Sequence, residues 1–481
     1  MAFADLRSFL EALDADGELL RVSAPADPVL EIAEITDRVT KAGGPALLFE
    51  NPVGSRYPLL INAFGTLKRT CRAFGVKSLD EIGDRIARMI RPEVPAGFWD
   101  KLRRLPELLS LANFPPRTVR VGACQEVVKA DAAADVLEFP VLQCWPKDAG
   151  RFITFPLVIT RDLEGRRNVG LYRVQVFDGR TVGLHWQTHH DGAKHYREWS
   201  RLGRPMPVAL ALGSDPVTMY CGSAPMPPGV DEFLFAGFLR NRPVELVPCK
   251  TIPLEVPANA EIVIEGWAHP GDVRREGPFG DHTGYYSAAD DYPVLRISAV
   301  THRRNPVYPT TIVGLPPQED AYLGKATERI FLPLIKMILP DIVDYDLPVW
   351  GVFHNFAIVK IEKRYPWQAR KVIHGIWGAG QMMFSKCIIV VDADCDITNV
   401  KDVMFRVGAN VDWSRDVEIV RGPVDILDHA SPDLGAGGKI GIDATHKIPG
   451  EGRVREWPEM IRMSADIVER VTRRWREYGL K

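Results

Sequence analysis

Val208-Ala-Leu-Ala-Leu-Gly213 is a short apolar run that ends in glycine, and similar runs recur between residues 117 and 305. They include Phe155-Pro-Leu-Val-Ile-Thr160, Glu261-Ile-Val-Ile-Glu265 and Val294-Leu-Arg-Ile-Ser-Ala-Val300, with turns rich in Gly, Pro and Asp between them. Runs of this length and composition predict strands. A succession of them predicts an antiparallel barrel or sandwich in the middle of the chain.

Helical patterns flank this β-rich region on both sides. On the N-terminal side, the spacing of apolar residues predicts helices at residues 6–13, 30–39, 67–74, 79–90 and 97–112. Two short buried strands are predicted at residues 46–49 and 59–61. On the other side, residues 318–338 predict one long connecting helix, and the strand, helix, strand order of residues 356–359, 366–378 and 387–391 predicts an α/β domain. The last predicted helix carries Ile467, Val468, Val471 and Trp475 on one side. This side is expected to pack against the core or against a dimer partner.

These patterns predict a multidomain protein of mixed α+β and α/β type. Its predicted parts are an N-terminal α/β layer (1–116), a central antiparallel β domain (117–317), a linker helix (318–340) and a C-terminal α/β oligomerisation domain (341–481). A length of 481 residues is enough for several such cores. A C-terminal domain reached by a long helix suggests a homo-oligomer, for which a two-fold dimer is the commonest closed form.

Composition excludes several classes of function. The 60 basic and 62 acidic residues are nearly balanced, so no electrostatic reason exists to expect nucleic acid or a membrane surface as a partner. The seven cysteines contain no Cys-x-x-Cys pair, which favours a reducing compartment over a disulfide framework. The first residues are amphipathic rather than basic and then apolar, and we therefore expect a cytoplasmic protein.

A candidate acid/base site lies in the segment Glu276-Gly-Pro-Phe-Gly-Asp281-His282-Thr-Gly-Tyr285-Tyr286. Pro278 and three glycines predict a shaped loop, and such loops often present reactive groups. Aromatic rings beside a carboxylate raise its pKa, as a general acid requires. The alternative interpretation of these residues is a solvated surface turn.

Two further segments carry candidate ligands. Four of the eleven histidines lie between His185 and His195, and such clustering favours a metal site. A metal-dependent hydrolase that uses this cluster is therefore an alternative function. The segment Arg167-Asn168-Val-Gly170-Leu-Tyr172-Arg173 offers an amide that a hard cation could bind and a guanidinium that could bind a carboxylate.

Together these segments resemble the UbiD family of decarboxylases, and the resemblance extends over essentially the whole chain. It includes residues 41–49, 168–173, 225–232, 256–258, 276–286, 316–320 and 385–386 in the family's order. The chain is most similar to bacterial members assigned to quinone biosynthesis. The resemblance implies that the central domain is a split β-barrel that binds flavin.

The resemblance also implies a prenylated flavin mononucleotide whose phosphate binds a divalent metal, usually Mn²⁺, with K⁺ nearby. The implied metal ligands are Asn168, His189 and Glu232, with His190 as the alternative to His189. The implied cofactor-binding residues are Gly170, Leu171, Tyr172, Arg173, Thr188, His189, Gly222, Ser223, Ala224 and Pro225, with Lys386 on the phosphate. A flavin prenyltransferase would supply this cofactor, and some relatives assemble as hexamers.

The implied catalytic residues are Arg173, Glu276 and Asp281, where many relatives have glutamate at the last position. Asp281 would protonate the carbanion that remains after carbon dioxide leaves. We expect Arg173 to pair with Glu276 and keep it ionised, while desolvation keeps Asp281 protonated. The implied substrate is a small aromatic or α,β-unsaturated acid, first a 4-hydroxy-3-polyprenylbenzoate and second a simple phenolic or heteroaromatic acid. A flavin-binding protein without catalysis is the remaining alternative.

Overall fold

The structure is a computed structural model that describes residues 3–90, 114–188, 190–227, 229–452 and 455–480. The predicted helix at 97–112 and the candidate ligand His189 lie outside these residues. All seven cysteines are free thiols. Among the described residues, no helix combines the length and the apolar character that crossing a bilayer would require.

The N-terminal part is the predicted α/β layer. Its elements are α1 (Leu6–Ala15), β1 (Leu19–Val22), α2 (Glu31–Lys41), β2 (Ala46–Phe49), β3 (Leu59–Ile61), α3 (Leu67–Phe74) and α4 (Asp80–Ile90). Helix α1 begins with a capping box, in which Asp5 and Ser8 each accept a hydrogen bond from the other's backbone N–H. The sheet order β1-β2-β3 is completed by Tyr308–Pro309, which pairs in parallel with β3 and ties this layer to the end of the central part.

The central part is built mainly from strands. Its elements are β4 (Arg117–Thr118), β5 (Val127–Ala130), β6 (Arg151–Ile153), β7 (Leu157–Arg161), β8 (Arg167–Leu171), β9 (Val174–Asp178), β10 (Thr181–Leu184), α5 (Asp191–Arg201), β11 (Met206–Leu212), α6 (Pro216–Cys221), α7 (Glu232–Arg240), β12 (Glu245–Pro248), β13 (Glu255–Pro257), β14 (Ile262–Glu276), β15 (Phe279–Gly280), β16 (Tyr286–Ser287), β17 (Asp290–His302) and β18 (Tyr308–Pro309).

Nine of these strands form one antiparallel sheet with the order β6-β9-β10-β17-β14-β11-β7-β8, and β5 pairs with β17. The described path does not close, so the sheet is a curled half-barrel, and the prediction of an antiparallel split barrel is confirmed. Every residue of β11 is buried, and its side chains alternate between two hydrophobic cores. Val208 and Leu210 face one core, whereas Ala209 and Ala211 face the other. Burial of both faces explains why these strands are continuous apolar runs.

The C-terminal part begins with the predicted long helix. Its elements are α8 (Glu319–Ile338), β19 (Ile342–Asp346), β20 (Phe356–Ile361), α9 (Gln368–Trp377), β21 (Cys387–Asp392), α10 (Val400–Asn410), β22 (Val417–Pro423), β23 (Ala436–Asp443) and α11 (Ala465–Arg473). The sheet order is β19-β20-β21-β23-β22, with parallel pairs in its middle and antiparallel pairs at both edges. Helix α11 has no buried residue, so its apolar side is not part of the core of a single chain.

Candidate active site

Arg173 lies in the turn between β8 and β9, and its guanidinium is buried between two carboxylates. Its Nε and Nη2 donate to Oε1 and Oε2 of Glu276 at 2.9 and 3.0 Å. This is the paired geometry that a planar guanidinium forms with a carboxylate. Its Nη1 donates to Oδ2 of Asp281. The structure therefore brings together the three side chains that were expected to be catalytic.

Glu276 is fully buried and ionised. Burial opposes its charge, but hydrogen bonds from His185 and Arg173 outweigh this effect and hold the pKa of Glu276 below its usual value. His185 Nδ1 lies 3.0 Å from Oε2 of Glu276, and the imidazole packs against the ring of Tyr292. The expected pairing of Arg173 with an ionised Glu276 is confirmed.

Asp281 is also held as an anion. Burial again opposes the charge, but His282 and then Arg173 lower the pKa of Asp281 well below its usual value. The backbone N and the Nδ1 of His282 lie 2.7 and 2.9 Å from Oδ1 of Asp281. The expectation that desolvation keeps Asp281 protonated is therefore wrong for this state. It rested on the apolar surroundings and did not include the two cationic partners.

Two buried side chains fix the loop that carries Asp281. Oδ1 of Asp148 accepts a hydrogen bond from the backbone N of Gly280 at 2.8 Å. Oε1 of Gln175 accepts one from the backbone N of Gly277 at 2.9 Å. Backbone groups on both sides of the cis peptide at Pro278 are thus satisfied by one side chain from β9 and one from the loop before β6, which hold the loop of Asp281 in place.

Part of the segment from Glu276 to Tyr286 differs from the predicted loop. Glu276 is the last residue of the 15-residue strand β14, where it pairs with Asp290 of β17. Phe279 is buried, and Arg173 lies over its ring at 4.8 Å from the centroid. The side chains of Tyr285 and Tyr286 are 55% and 39% exposed, so they do not shield the acids as expected. Phe279 is the aromatic residue that provides the apolar surroundings.

The described candidates for metal binding lie on adjoining elements. Glu232 is the first residue of α7, and its Oε2 accepts a hydrogen bond from the backbone N of Val169 at 2.9 Å. Asn168 precedes Val169 on β8, and its buried Nδ2 has no hydrogen-bond partner. Desolvation raises the pKa of Glu232 to about 8. A cation bound between these adjoining elements would stabilise the buried carboxylate of Glu232.

Several candidate cofactor-binding residues meet where β8 ends. The backbone N of Leu171 donates to the carbonyl of Gly222 at 2.7 Å. A Cβ atom at Gly222 would lie 2.5 Å from the side chain of Leu157, and one at Gly170 would lie 2.2 Å from the ring of Tyr172. Both glycines therefore permit a close approach that a larger residue would prevent.

The other candidate cofactor-binding residues differ in their exposure and contacts. Tyr172 packs against the ring of His190 at 4.9 Å between centroids. Thr188 and Ser223 are exposed, and Ala224 and Pro225 are half-buried. Lys386 precedes β21, and its Nζ donates to Oδ1 of Asp428 at 2.8 Å. The contact of Lys386 with a cofactor phosphate stays a prediction.

The described histidines between 185 and 195 do not converge on one point. His185 contacts Glu276, and Nδ1 of His195 lies 2.9 Å from the hydroxyl of Thr160. Within the described residues, the one group of three or more His, Cys, Asp or Glu side chains that could hold a metal ion lies elsewhere. The hydrolase alternative gains no support from this part of the chain.

Sequence reasoning named His185 and His282 as candidates but placed neither of them in this charged cluster, and it missed Ser287. His185 contacts Glu276, and His282 contacts Asp281. The hydroxyl Oγ of Ser287 lies 3.0 Å from Nη2 of Arg173. Only His282 had a usable signal, because it directly follows the candidate acid. The contacts of the other two depend on strand pairing that no local pattern specifies.

Family models match three segments of the chain. Residues 117–316 match the 3-octaprenyl-4-hydroxybenzoate carboxy-lyase Rift-related domain (UbiD), residues 321–444 match the C-terminal domain of that carboxy-lyase, and residues 10–86 match its N-terminal domain. An uncharacterized protein of Aquifex aeolicus is 50% identical over 484 residues, which covers 100% of this chain and 99% of the relative.

Solved structures show the same architecture. The closed form of Sedimentibacter hydroxybenzoicus vanillic acid decarboxylase is 28% identical and covers 100% of both chains with a TM-score of 0.86. The UbiD-class enzyme HmfF from Pelotomaculum thermopropionicum, in complex with FMN, is 32% identical and covers 94% of this chain and 97% of its own, with a TM-score of 0.80.

Proposed function

The chain belongs to the UbiD family of carboxy-lyases, and from this membership we propose that it decarboxylates an aromatic carboxylic acid without oxidation, with prenylated FMN as cofactor. The observation that carries this proposal is the buried guanidinium of Arg173, which donates hydrogen bonds to both Glu276 and Asp281. A buried arginine binds a planar carboxylate well, and an acid beside it is placed to return a proton.

The residues around β8 fit a cation that anchors the flavin phosphate. A half-turn of the Asn168 amide exchanges Nδ2 with Oδ1 and leaves an unsatisfied oxygen on the residue that precedes Val169, whose backbone N binds Glu232. Amide and carboxylate oxygens suit a hard divalent cation such as Mn²⁺. We assign Asn168 and Glu232 to this cation, with His189 as the third ligand. Lys386 would bind the phosphate, and K⁺ would lie nearby.

The side chains of the site bind and orient the substrate. When bound, prenylated FMN supplies an electron-accepting centre for the carbon that loses carbon dioxide. Arg173 binds the substrate carboxylate, and its bidentate contact with Glu276 keeps the guanidinium in one orientation. Each turnover consumes one proton. A substrate carboxylate on Arg173 would take over the charge that now pairs with Asp281 and leave Asp281 free to carry that proton to carbon.

The finer substrate assignment is a 4-hydroxy-3-polyprenylbenzoate or another aromatic acid of a quinone pathway. The family descriptions support it, because they name 3-octaprenyl-4-hydroxybenzoate carboxy-lyase over all three matched segments. The similarity to a vanillic acid decarboxylase supports a simple phenolic acid as the alternative. A panel that contains both kinds of acid, with carbon dioxide release as the measurement, separates them.

Protein produced together with a flavin prenyltransferase is expected to show flavin absorbance and to release carbon dioxide from one of these acids. Glu232→Gln is expected to lower the bound flavin and metal at least about tenfold, because it removes a charged ligand. Glu245→Gln, at the exposed first residue of β12, is the matched control and is expected to keep both. Flavin absorbance without carbon dioxide release would favour a flavin-binding protein, and colourless protein would favour the hydrolase.

We also propose that the chain forms a homo-oligomer, first a dimer and second a hexamer. The support is helix α11, whose Ile467 and Val471 are only half-buried and whose Val468 is exposed, together with the exposed Trp475 just beyond the helix. A second copy that covers this side would remove apolar surface from water. Light scattering on the full chain is expected to give a mass of at least two subunits, and a monomer at micromolar concentration would contradict this assignment.

A further inference from the structure

Two imidazoles and a carboxylate converge next to the candidate acid, at its Oδ1, whereas Arg173 contacts its Oδ2. The Nε2 atoms of His282 and His354 lie 2.9 Å apart. One ligand atom from each of His282, His354 and Asp425 lies within 4.8 Å of the other two. Over the described ranges, this is the group of three His, Cys, Asp or Glu side chains whose geometry could hold a metal ion.

The three side chains come from two parts of the chain. His282 follows Asp281 in the central part, whereas His354 precedes β20 and Asp425 follows β22 in the C-terminal part. The rings of Tyr285 and His429 pack across the same boundary, at 3.8 Å between centroids. A ligand shared by these residues would therefore join the loop of Asp281 to the C-terminal domain.

Hydrogen bonding within the group resembles that of a metal site. Nδ1 of His282 lies 2.9 Å from Oδ1 of Asp281, which leaves Nε2 directed at His354. Histidine ligands of metals commonly donate their second ring N–H to a carboxylate in this way.

The surrounding charge also favours a cation. Asp281 pairs with Arg173, and Asp428 pairs with Lys386. Asp425 has no ion pair with any Lys or Arg that the structure describes. Its recorded side-chain hydrogen bond is the one that Oδ1 accepts from the backbone N of Leu427 at 2.8 Å. The group therefore contains a carboxylate that no described lysine or arginine balances, and an ion bound between the imidazoles would displace the proton that His282 and His354 now share.

We propose that His282, His354 and Asp425 form a second divalent-cation site, of the zinc class, which fastens the loop of Asp281 to the C-terminal domain. Two imidazoles and one carboxylate are a common zinc ligand set. Zinc–nitrogen bonds of about 2.0–2.1 Å with tetrahedral angles separate two nitrogens by ~3.4 Å, so the histidines need to move apart by only about half an ångström. A fourth position remains for water or another oxygen ligand.

This site is distinct from the proposed flavin-phosphate site, since neither Asn168 nor Glu232 is among its ligands. Its function is to position Asp281, because a ligated His282 has a fixed ring whose Nδ1 holds Oδ1 of Asp281. It does not depend on the identity of the substrate. The two proposals can therefore fail independently.

The test uses the full chain, purified without flavin, stripped with a chelator and dialysed against limiting Zn²⁺. Mass spectrometry of the metal content is expected to find one zinc per chain that is lost in both His354→Asn and Asp425→Asn. Glu232→Gln and His374→Asn are the controls, the first for the flavin-phosphate site and the second for an exposed histidine on α9, and both are expected to keep this zinc. Zinc is expected to raise the melting temperature of the wild type and of both controls only.

Crystals of the wild type grown with zinc provide a readout that does not depend on any variant. An anomalous difference peak at the zinc edge between His282, His354 and Asp425 would support the site. Wild-type protein that binds no zinc, or a peak only elsewhere, would overturn the proposal. Zinc content that His354→Asn and Asp425→Asn leave unchanged would overturn it as well.

Discussion

Arg173→Met is expected to abolish decarboxylation and to destabilise the central domain. Methionine retains much of the apolar bulk but removes the charge, so Glu276 and Asp281 would remain buried as anions without the guanidinium. Breaking a buried ion pair by removal of one partner costs about 3–5 kcal/mol. Loss of a charged donor to the reacting group lowers turnover by about a thousandfold or more. Urea unfolding and carbon dioxide release from the reconstituted protein measure the two effects.

Arg275→Met is the matched control for this variant. Arg275 is the neighbour of Glu276 on β14, but its side chain is 65% exposed and its nearest carboxylates lie 3.9 Å away. Exposed ion pairs of this kind contribute about 0–1 kcal/mol, so stability and activity are expected to change little. If Arg173→Met retained activity within a few-fold of the wild type, the assignment of Arg173 to the substrate carboxylate would be wrong.

Asp281→Asn is expected to abolish turnover while flavin stays bound. Asparagine fills the same space and can still contact Arg173 and His282, but its amide cannot carry a proton to carbon. Positioned general acids contribute about 10²–10⁴-fold to rate, and a loss in this range is expected for carbon dioxide release. The flavin spectrum should be unchanged, because no described contact links Asp281 to Asn168 or Glu232.

Asp290→Asn is the control for the loss of a carboxylate near the site. Asp290 lies opposite Glu276 in the strand ladder, but its side chain is 69% exposed. It is expected to leave both the flavin spectrum and the rate within a few-fold of the wild type. Full activity in Asp281→Asn would refute the role of Asp281 as proton donor.

The sequence predicts the elements of this fold well where burial imposes a clear period. Strand β11 is apolar at every position, and β21 at every position before its last residue, Asp392, because hydrophobic cores cover both faces of their sheets. Helix α8 was recognisable from its length and apolar spacing. The pairing of Tyr308–Pro309 with β3 was not predicted, because a two-residue strand has no periodicity to detect.

The proximity of the three candidate catalytic residues was predictable, but the charge state of Asp281 was not. Motif order placed Arg173, Glu276 and Asp281 together, and the structure agrees with that placement. The charge of Asp281 depends on His282 as well as on Arg173, and only three-dimensional contacts show that both reach it. His354 lies 72 residues beyond His282, and nothing local in the sequence indicates that their rings meet.

Strand β14 has two ends with different surroundings. Residues 262–266 are buried in the sheet, residues 269–275 are mostly exposed, and Glu276 at the far end is buried again by its contacts with Arg173 and His185. Strand β14 is thus held by buried contacts at both ends and is solvated between them. Loss of the contacts of Glu276 would allow the end of the strand to open locally while the hydrophobic core stays folded, so the enzyme could lose its reactive geometry long before global denaturation.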